Sequence, residues 1–291
     1  MKAIMKNNNN NKNISYGIEY FQHDEVTLAL HAWIPATIHS VLFYIHGIQS
    51  HGGWSYETGP DLAAKGIAFY ILDRRGSGVS TGLRGDIPSA KILLNDYLFI
   101  LTELKKRHSE HALVLMGHSL GGSILAGLIA WPQFSITYDA AIFCASALGK
   151  LHSTLSMDEQ TALLQNTRTT PYSIHLNDLD YTTDPIYLDF IKNDPYCCRV
   201  ITERSRAALL EIEKLYWKKN IISNAPALYI YPKEDPLVDL PAAHNIYMEM
   251  TAGKGFLFQI PANLHYMWFS EYRFQLANCV SHFVLSNGYS L

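Results

Sequence analysis

The stretch from Ala112 to Trp131 limits what this 291-residue chain can fold into more than any other. An apolar run, Ala112 to Met116, ends at Gly117-His118-Ser119-Leu120-Gly121-Gly122 and passes directly into a helix-length segment, Leu120 to Trp131, closed by Pro132. A strand that turns into a helix through G-x-S-x-G predicts a serine lifted above a sheet edge on a sharp, strained turn. Glycines suit that turn, because side chains at Gly117 and Gly121 would collide with neighbouring elements. The turn also leaves the first N–H groups of the helix unpaired and facing the serine, where they can receive an oxyanion. The bland alternative is a glycine-rich helix start whose serine merely caps its own helix, and it gives no reason for the buried strand before it.

The rest of the chain supplies the sheet that such a turn needs. Val41–Ile45, Ala68–Leu72, Ala112–Met116, Ala140–Cys144, Ala227–Tyr231 and Phe256–Ile260 are short apolar runs separated by helix-length stretches, the pattern of a parallel sheet covered on both faces. Leu93, Tyr97, Ile100 and Leu104 recur at helical spacing within Ser89–His108, and a last helix is expected near Tyr272–Leu285. Ile18–Gln22 and Thr27–Ile34 read as an antiparallel hairpin. The alternation breaks between residues 148 and 220, where Pro171, Pro185 and Pro195 punctuate short helical pieces. The expected organisation is a disordered polar lead-in at 1–15, an α/β core at 16–147 and 221–291, and a helical cap at 148–220.

A serine hydroxyl is a weak nucleophile until a base takes its proton, and the base needs a third group to hold its tautomer. On a strand–turn–helix nucleophile the partners follow in the order serine, acid, histidine. Asp235 follows the run Ala227–Tyr231 and His265 follows Phe256–Ile260, which puts both on loops at the edge of the sheet that carries Ser119. Glu234 is the rival acid, while Asp239, just before Leu240-Pro241, reads as a helix N-cap. Among histidines, His118 is too close to the serine for good geometry, His244 and His282 fall inside expected helices, and His46 and His51 precede the serine. The loop His46-Gly47-Ile48-Gln49-Ser50-His51 follows the first parallel strand and offers the Ile48 N–H as a second oxyanion donor beside that of Leu120.

These segments resemble the α/β-hydrolase family, and within it the monoacylglycerol lipase and lysophospholipase branch, which also holds esterases and the serine aminopeptidase group. The resemblance rests on His46-Gly47-x-x-Ser50-His51, Asp73-x-Arg75-Gly76-x-Gly78-x-Ser80, the Ser119 turn, Glu234-Asp235-Pro-Leu-Val238 and His265, and runs from about residue 18 to 286. It implies a carboxylic-ester hydrolase working through an acyl-enzyme, with a fatty acyl monoester as the first substrate to expect. It also implies a structural Asp73–Ser80 loop whose arginine braces the catalytic loops. A thioesterase, acyltransferase or cyclase acting on a carrier-bound acyl chain uses the same acyl-enzyme. A binding protein on an inactive hydrolase scaffold is the alternative of another class. Relatives with an aspartate nucleophile, the dehalogenases and epoxide hydrolases, are excluded by Ser119.

The resemblance implies a small-molecule acyl ester or thioester as partner, and composition argues against other classes. A net charge of −3 with no basic block argues against nucleic acid. No apolar run reaches the roughly 20 residues of a membrane span, although transient contact with a lipid surface fits a lipase-like chain. Asn7 to Asn11 stand where a secretory signal would be apolar, so a cytoplasmic chain is expected. Cys144, Cys197, Cys198 and Cys279 lack C-x-x-C spacing and are expected as free thiols. Neither H-E-x-x-H nor clustered His/Cys spacing occurs, so no metal and no cofactor is expected.

Overall fold

A computed structural model describes residues 13–222 and 225–288. Most of the expected polar lead-in lies outside these residues, but Ile14 and Ser15 already belong to the first strand. The described residues hold ten strands in chain order: β1 (Ile14–His23), β2 (Val26–Pro35), β3 (Ser40–Ile45), β4 (Ile67–Asp73), β5 (Ala112–His118), β6 (Ala140–Cys144), β7 (Pro171–Ser173), β8 (Val200–Thr202), β9 (Ala227–Pro232) and β10 (Phe256–Ile260). Eight of them form one sheet in the order β1-β2-β4-β3-β5-β6-β9-β10, and β7 and β8 pair separately. Within the large sheet β1–β2 and β2–β4 pair antiparallel and the remaining pairs, β4–β3, β3–β5, β5–β6, β6–β9 and β9–β10, are parallel, while β7 and β8 pair antiparallel.

Continuous apolar strands require cover on both faces. One face is packed by α2 (Ala90–Arg107), α3 (Leu120–Ala130), α8 (Glu203–Tyr216) and α9 (Leu240–Met250), and the other by α1 (Thr58–Ala63) and α10 (Arg273–Ser286). Ser89 caps α2 by accepting from Ile92 N–H at 3.2 Å, and the buried stripe Leu93, Tyr97, Ile100, Leu104 is the one its spacing predicts. The mixed segment after β6 holds α4 (Lys150–Thr154), α5 (Met157–Leu164), α6 (Asp178–Tyr181) and α7 (Pro185–Asn193) with the small β7–β8 sheet.

The expected end of the insertion, residue 220, is too late. Helix α8 returns to the core layer: Ile212 and Tyr216 are buried in the cluster that contains α3, and Tyr216 Oη lies 2.7 Å from Ser123 Oγ. A hydrogen at Gly127 in place of a side chain lets α8 press its Ile212 against α3. The sequence hides this return because α8 is amphipathic and follows directly on β8. Among the described residues no helix is long and apolar enough to cross a membrane, and no group of three or more His, Cys, Asp or Glu could hold a metal ion. All four cysteines are free.

Candidate active site

Ser119 joins β5 to α3 with φ 54° and ψ −122°. These are the angles of the first central residue of a type II′ turn, a place usually taken by glycine. The turn is held at both ends: Ser119 N–H donates to Cys144 O at 3.0 Å, and Ser119 O accepts from Gly122 and Ala147 N–H at 3.0 and 3.1 Å. Close approach explains the glycine after it, since a Cβ at Gly121 would run into the carbonyl of Ile45 at the end of β3. Among the described residues Ser119 Oγ makes no hydrogen bond, and its residue is only part-buried.

Asp235 and His265 stand on the loops after β9 and β10. Nδ1 of His265 lies 3.0 and 2.9 Å from the two carboxylate oxygens of Asp235, and both side chains are buried. Oδ1 of Asp235 also accepts from Leu237 and Val238 N–H at 2.8 and 3.1 Å. The acid is therefore fixed by its own loop, and it holds the imidazole proton on Nδ1. Nε2 of His265 is buried with no partner. The rivals sit elsewhere: Glu234 is exposed, and Asp239 caps α9 by accepting from Ala242 N–H at 3.0 Å. His118 is buried 5.1 Å from the His265 ring, with Nε2 facing the His265 carbonyl at 3.4 Å. Burial, reinforced by its histidine neighbour, pushes His118 well below the usual histidine range and keeps it neutral.

Gly47 brings the loop after β3 against the serine turn, because a Cβ there would lie 3.4 Å from Ser119 Cβ. Ile48 follows in that loop, and Leu120 is the first residue of α3, where an N–H has no carbonyl one turn below it. His46 is buried: Nδ1 donates to Gly47 O at 2.8 Å while Nε2 accepts from Arg74 N–H at 3.1 Å. Burial, followed by the charge of Arg74, holds this ring well below the usual histidine range.

The loop after β4 contains two arginines with different tasks. Arg75, the arginine of the sequence motif, forks onto both oxygens of Asp96 in α2 at 2.5 Å each. It is Arg74, which the motif leaves unspecified, that reaches the carbonyls of His46, Gly47 and Ile48. Nothing in the sequence distinguishes the pair, since both are arginines at the end of one strand. Asp73 ties the same region, accepting from Gly52 N–H at 2.6 Å, Val79 N–H at 2.7 Å and His31 Nε2 at 3.1 Å. Burial alone would raise its carboxyl, but the His31 hydrogen bond and neighbouring imidazoles outweigh it and hold the group below the usual carboxylate range.

The insertion lies on these loops. Its Asp194 accepts from His51 Nε2 at 2.9 Å and Trp54 Nε1 at 2.7 Å, and Cys198 N–H donates to Gln49 O at 3.0 Å. On the opposite side His265 N–H donates to Asp180 O at 2.9 Å and Tyr266 N–H to Tyr181 O at 3.3 Å. The Tyr181 ring stands edge-on to His265 at 5.8 Å, and Tyr187 stacks on Phe269 at 4.5 Å. These ties across sequence separations above 80 residues carried no local signal.

A mostly parallel sheet with helices on both faces, a strained serine turn after its central strand and an acid and histidine on later strand ends define the α/β-hydrolase fold. The chain belongs to the serine aminopeptidase, S33, family, whose model matches residues 36–271. A monoacylglycerol lipase of Mycolicibacterium smegmatis is 28% identical over 101 residues, 34% of this chain and 36% of the lipase. Protein phosphatase methylesterase 1 of Candida albicans is 31% identical over 87 residues, 30% of this chain and 24% of the esterase. The match thus spans well under two thirds of either relative. A soluble variant of monoglyceride lipase from Saccharomyces cerevisiae, solved with a substrate analogue, superposes with a TM-score of 0.81 over 96% of this chain and 98% of that one at 16% identity. A carboxyl esterase from Bacillus coagulans, solved with glycerol, gives 0.76 over 94% and 98% at 14% identity. At such identities the superpositions show the fold.

Proposed function

We propose that the chain is a serine esterase of the monoacylglycerol lipase type, with Ser119 as nucleophile, His265 as general base and Asp235 as the group that orients it. The observation that carries the reading is the His265 ring, held through Nδ1 by Asp235 while its buried Nε2 has no partner, on the sheet edge that carries the Ser119 turn. Ser119 Oγ attacks the acyl carbonyl and passes its proton to His265 Nε2. The tetrahedral oxyanion is received by the Ile48 and Leu120 N–H groups. His265 then protonates the departing alcohol, and a water deprotonated by the same ring frees the acid from the acyl-enzyme.

Lipases and esterases among the relatives and superposed structures support an ester substrate. In this reading residues from 148 to about 202 are the cap, fastened over the serine and histidine loops through Asp194 and the Asp180 and Tyr181 carbonyls, and the acyl chain would lie beneath it. Labelling with a fluorophosphonate probe tests the mechanism, since only an activated serine reacts quickly. The intact protein should label and turn over p-nitrophenyl esters, and Ser119→Ala should do neither. An intact protein that fails to label is not a serine hydrolase. Assaying acetyl to palmitoyl esters beside the matching acyl thioesters separates an esterase from a thioesterase.

A further inference from the structure

Arg74 is buried, and among the described residues it has no ion pair, whereas its neighbour Arg75 is neutralised by Asp96. A buried cation without a counter-ion is costly unless other groups compensate it. Here the compensation comes from one short piece of backbone. Nη1 donates to His46 O at 3.4 Å, Nη1 and Nη2 donate to Gly47 O at 3.3 and 3.4 Å, and Nη2 donates to Ile48 O at 3.2 Å. The nearby Tyr97 phenol is no counter-ion, because burial lifts it to about 12 against the pull of Arg74.

The carbonyl with most donors, Gly47 O, shares a planar peptide with Ile48 N–H, and in a trans peptide the two point in opposite directions. Three donors converge on that oxygen, the two guanidinium nitrogens and His46 Nδ1 at 2.8 Å. Pulling on the carbonyl fixes the plane with its N–H turned away from Arg74, and drawing electrons toward the carbonyl makes that N–H a stronger donor. A Cβ on Gly47 would lie 3.4 Å from Ser119 Cβ, so this peptide borders the serine turn.

We infer that Arg74 is a positioning residue for the oxyanion site, orienting and polarising the Gly47–Ile48 peptide so that Ile48 N–H meets the charge developing on a substrate carbonyl. The inference rests on the serine-esterase reading above. Losing an oxyanion donor altogether costs about 10²- to 10³-fold in kcat, so weakening one of two should cost about tenfold to a hundredfold.

The test uses the full chain as wild type, Arg74→Lys and Arg74→Met, with active sites counted by fluorophosphonate labelling so that rates refer to folded enzyme. A trifluoromethyl ketone, which adds the serine to give an oxyanion, is compared with the methyl ketone of the same chain, which binds without doing so readily. Arg74→Met should lower kcat per active site about tenfold to a hundredfold with KM within about twofold. It should weaken the trifluoromethyl ketone by a similar factor and leave the methyl ketone unchanged, and Arg74→Lys should recover part of both losses. Unchanged kcat per active site, or equal weakening of both ketones, overturns the inference. Because Arg74→Lys keeps a charge where Arg74→Met removes it, the same comparison with Arg74→Gln decides the matter if the Met variant does not fold. A wild-type protein that neither labels nor prefers the trifluoromethyl ketone brings down the esterase reading itself, which is a different result from a wild type that does both and an Arg74 variant that matches it.

Discussion

Replacing Ser119 by glycine should give a dead protein that is more stable than the equally dead Ser119→Ala. Both changes remove the hydroxyl, and Ser119 Oγ makes no hydrogen bond among the described residues, so the variants differ essentially by one Cβ held at φ 54° and ψ −122°. Such a conformation costs a residue with a Cβ about 1–3 kcal/mol, and glycine escapes that cost. The strain cannot relax locally, because the peptides on either side are pinned to Cys144, Gly122 and Ala147. Against this, glycine leaves the unfolded chain freer than alanine by about 0.4–1 kcal/mol. The difference leaves about 1 kcal/mol in favour of glycine, or about 1.5–2 °C in Tm for a chain of this size. Calorimetric melts of the two variants without ligand measure it directly. If Ser119→Gly melts at or below Ser119→Ala, the turn is not strained and the argument for a pre-set nucleophile loses its physical basis.

Asp235→Asn should lower kcat by about 10³–10⁴ while Asp239→Ala costs only a helix cap of about 1 kcal/mol in stability, and steady-state kinetics showing the reverse would exchange the two assignments. His46, His108 and His118 are all held below the usual histidine range by burial, with His108 down to about 4. Below about pH 6.5 the unfolded chain therefore binds protons that the folded chain refuses, stability falls, and Tm should drop steadily from pH 7 to pH 5; a flat profile refutes this. Asp194→Ala leaves His51 Nε2 and Trp54 Nε1 buried without acceptors, a loss of about 2–5 kcal/mol. Limited proteolysis should then cut within residues 148–202 faster than in the wild type, and equal rates would mean the insertion is not fastened there.

What the sequence shows of this molecule is what local chemistry writes into it. Strands buried on both faces must be unbroken apolar runs, and β3, β4, β5, β6 and β9 all lie within a residue or two of the expected limits. The serine turn needs its glycines adjacent in the chain, so Gly117 and Gly121 are visible beside Ser119. Asp235 and His265 are legible only through strand order, and their contact is made across 30 residues by the two loops that end adjacent strands. Arg74 could not be separated from Arg75, because which guanidinium turns toward the loop after β3 depends on the backbone leaving β4. The boundary of the insertion was misplaced for a related reason: α8 carries an apolar stripe whichever layer it packs against, and only its contact with α3 assigns it to the core.

The pair of backbone hydrogen bonds from His265 and Tyr266 to Asp180 and Tyr181 sets where this chain could be recombined with a relative. A graft that exchanges everything between β6 and α8 also removes the two carbonyls on which the histidine loop rests, and a foreign segment with other spacing strands both N–H groups. Seams placed after Thr182 and before Val200 keep those carbonyls in the host and exchange α7 alone, together with the Asp194 anchor. Under the proposed reading, libraries on the cap should therefore diversify residues 183–199 other than Asp194 and leave residues 178–182 with the loop they support.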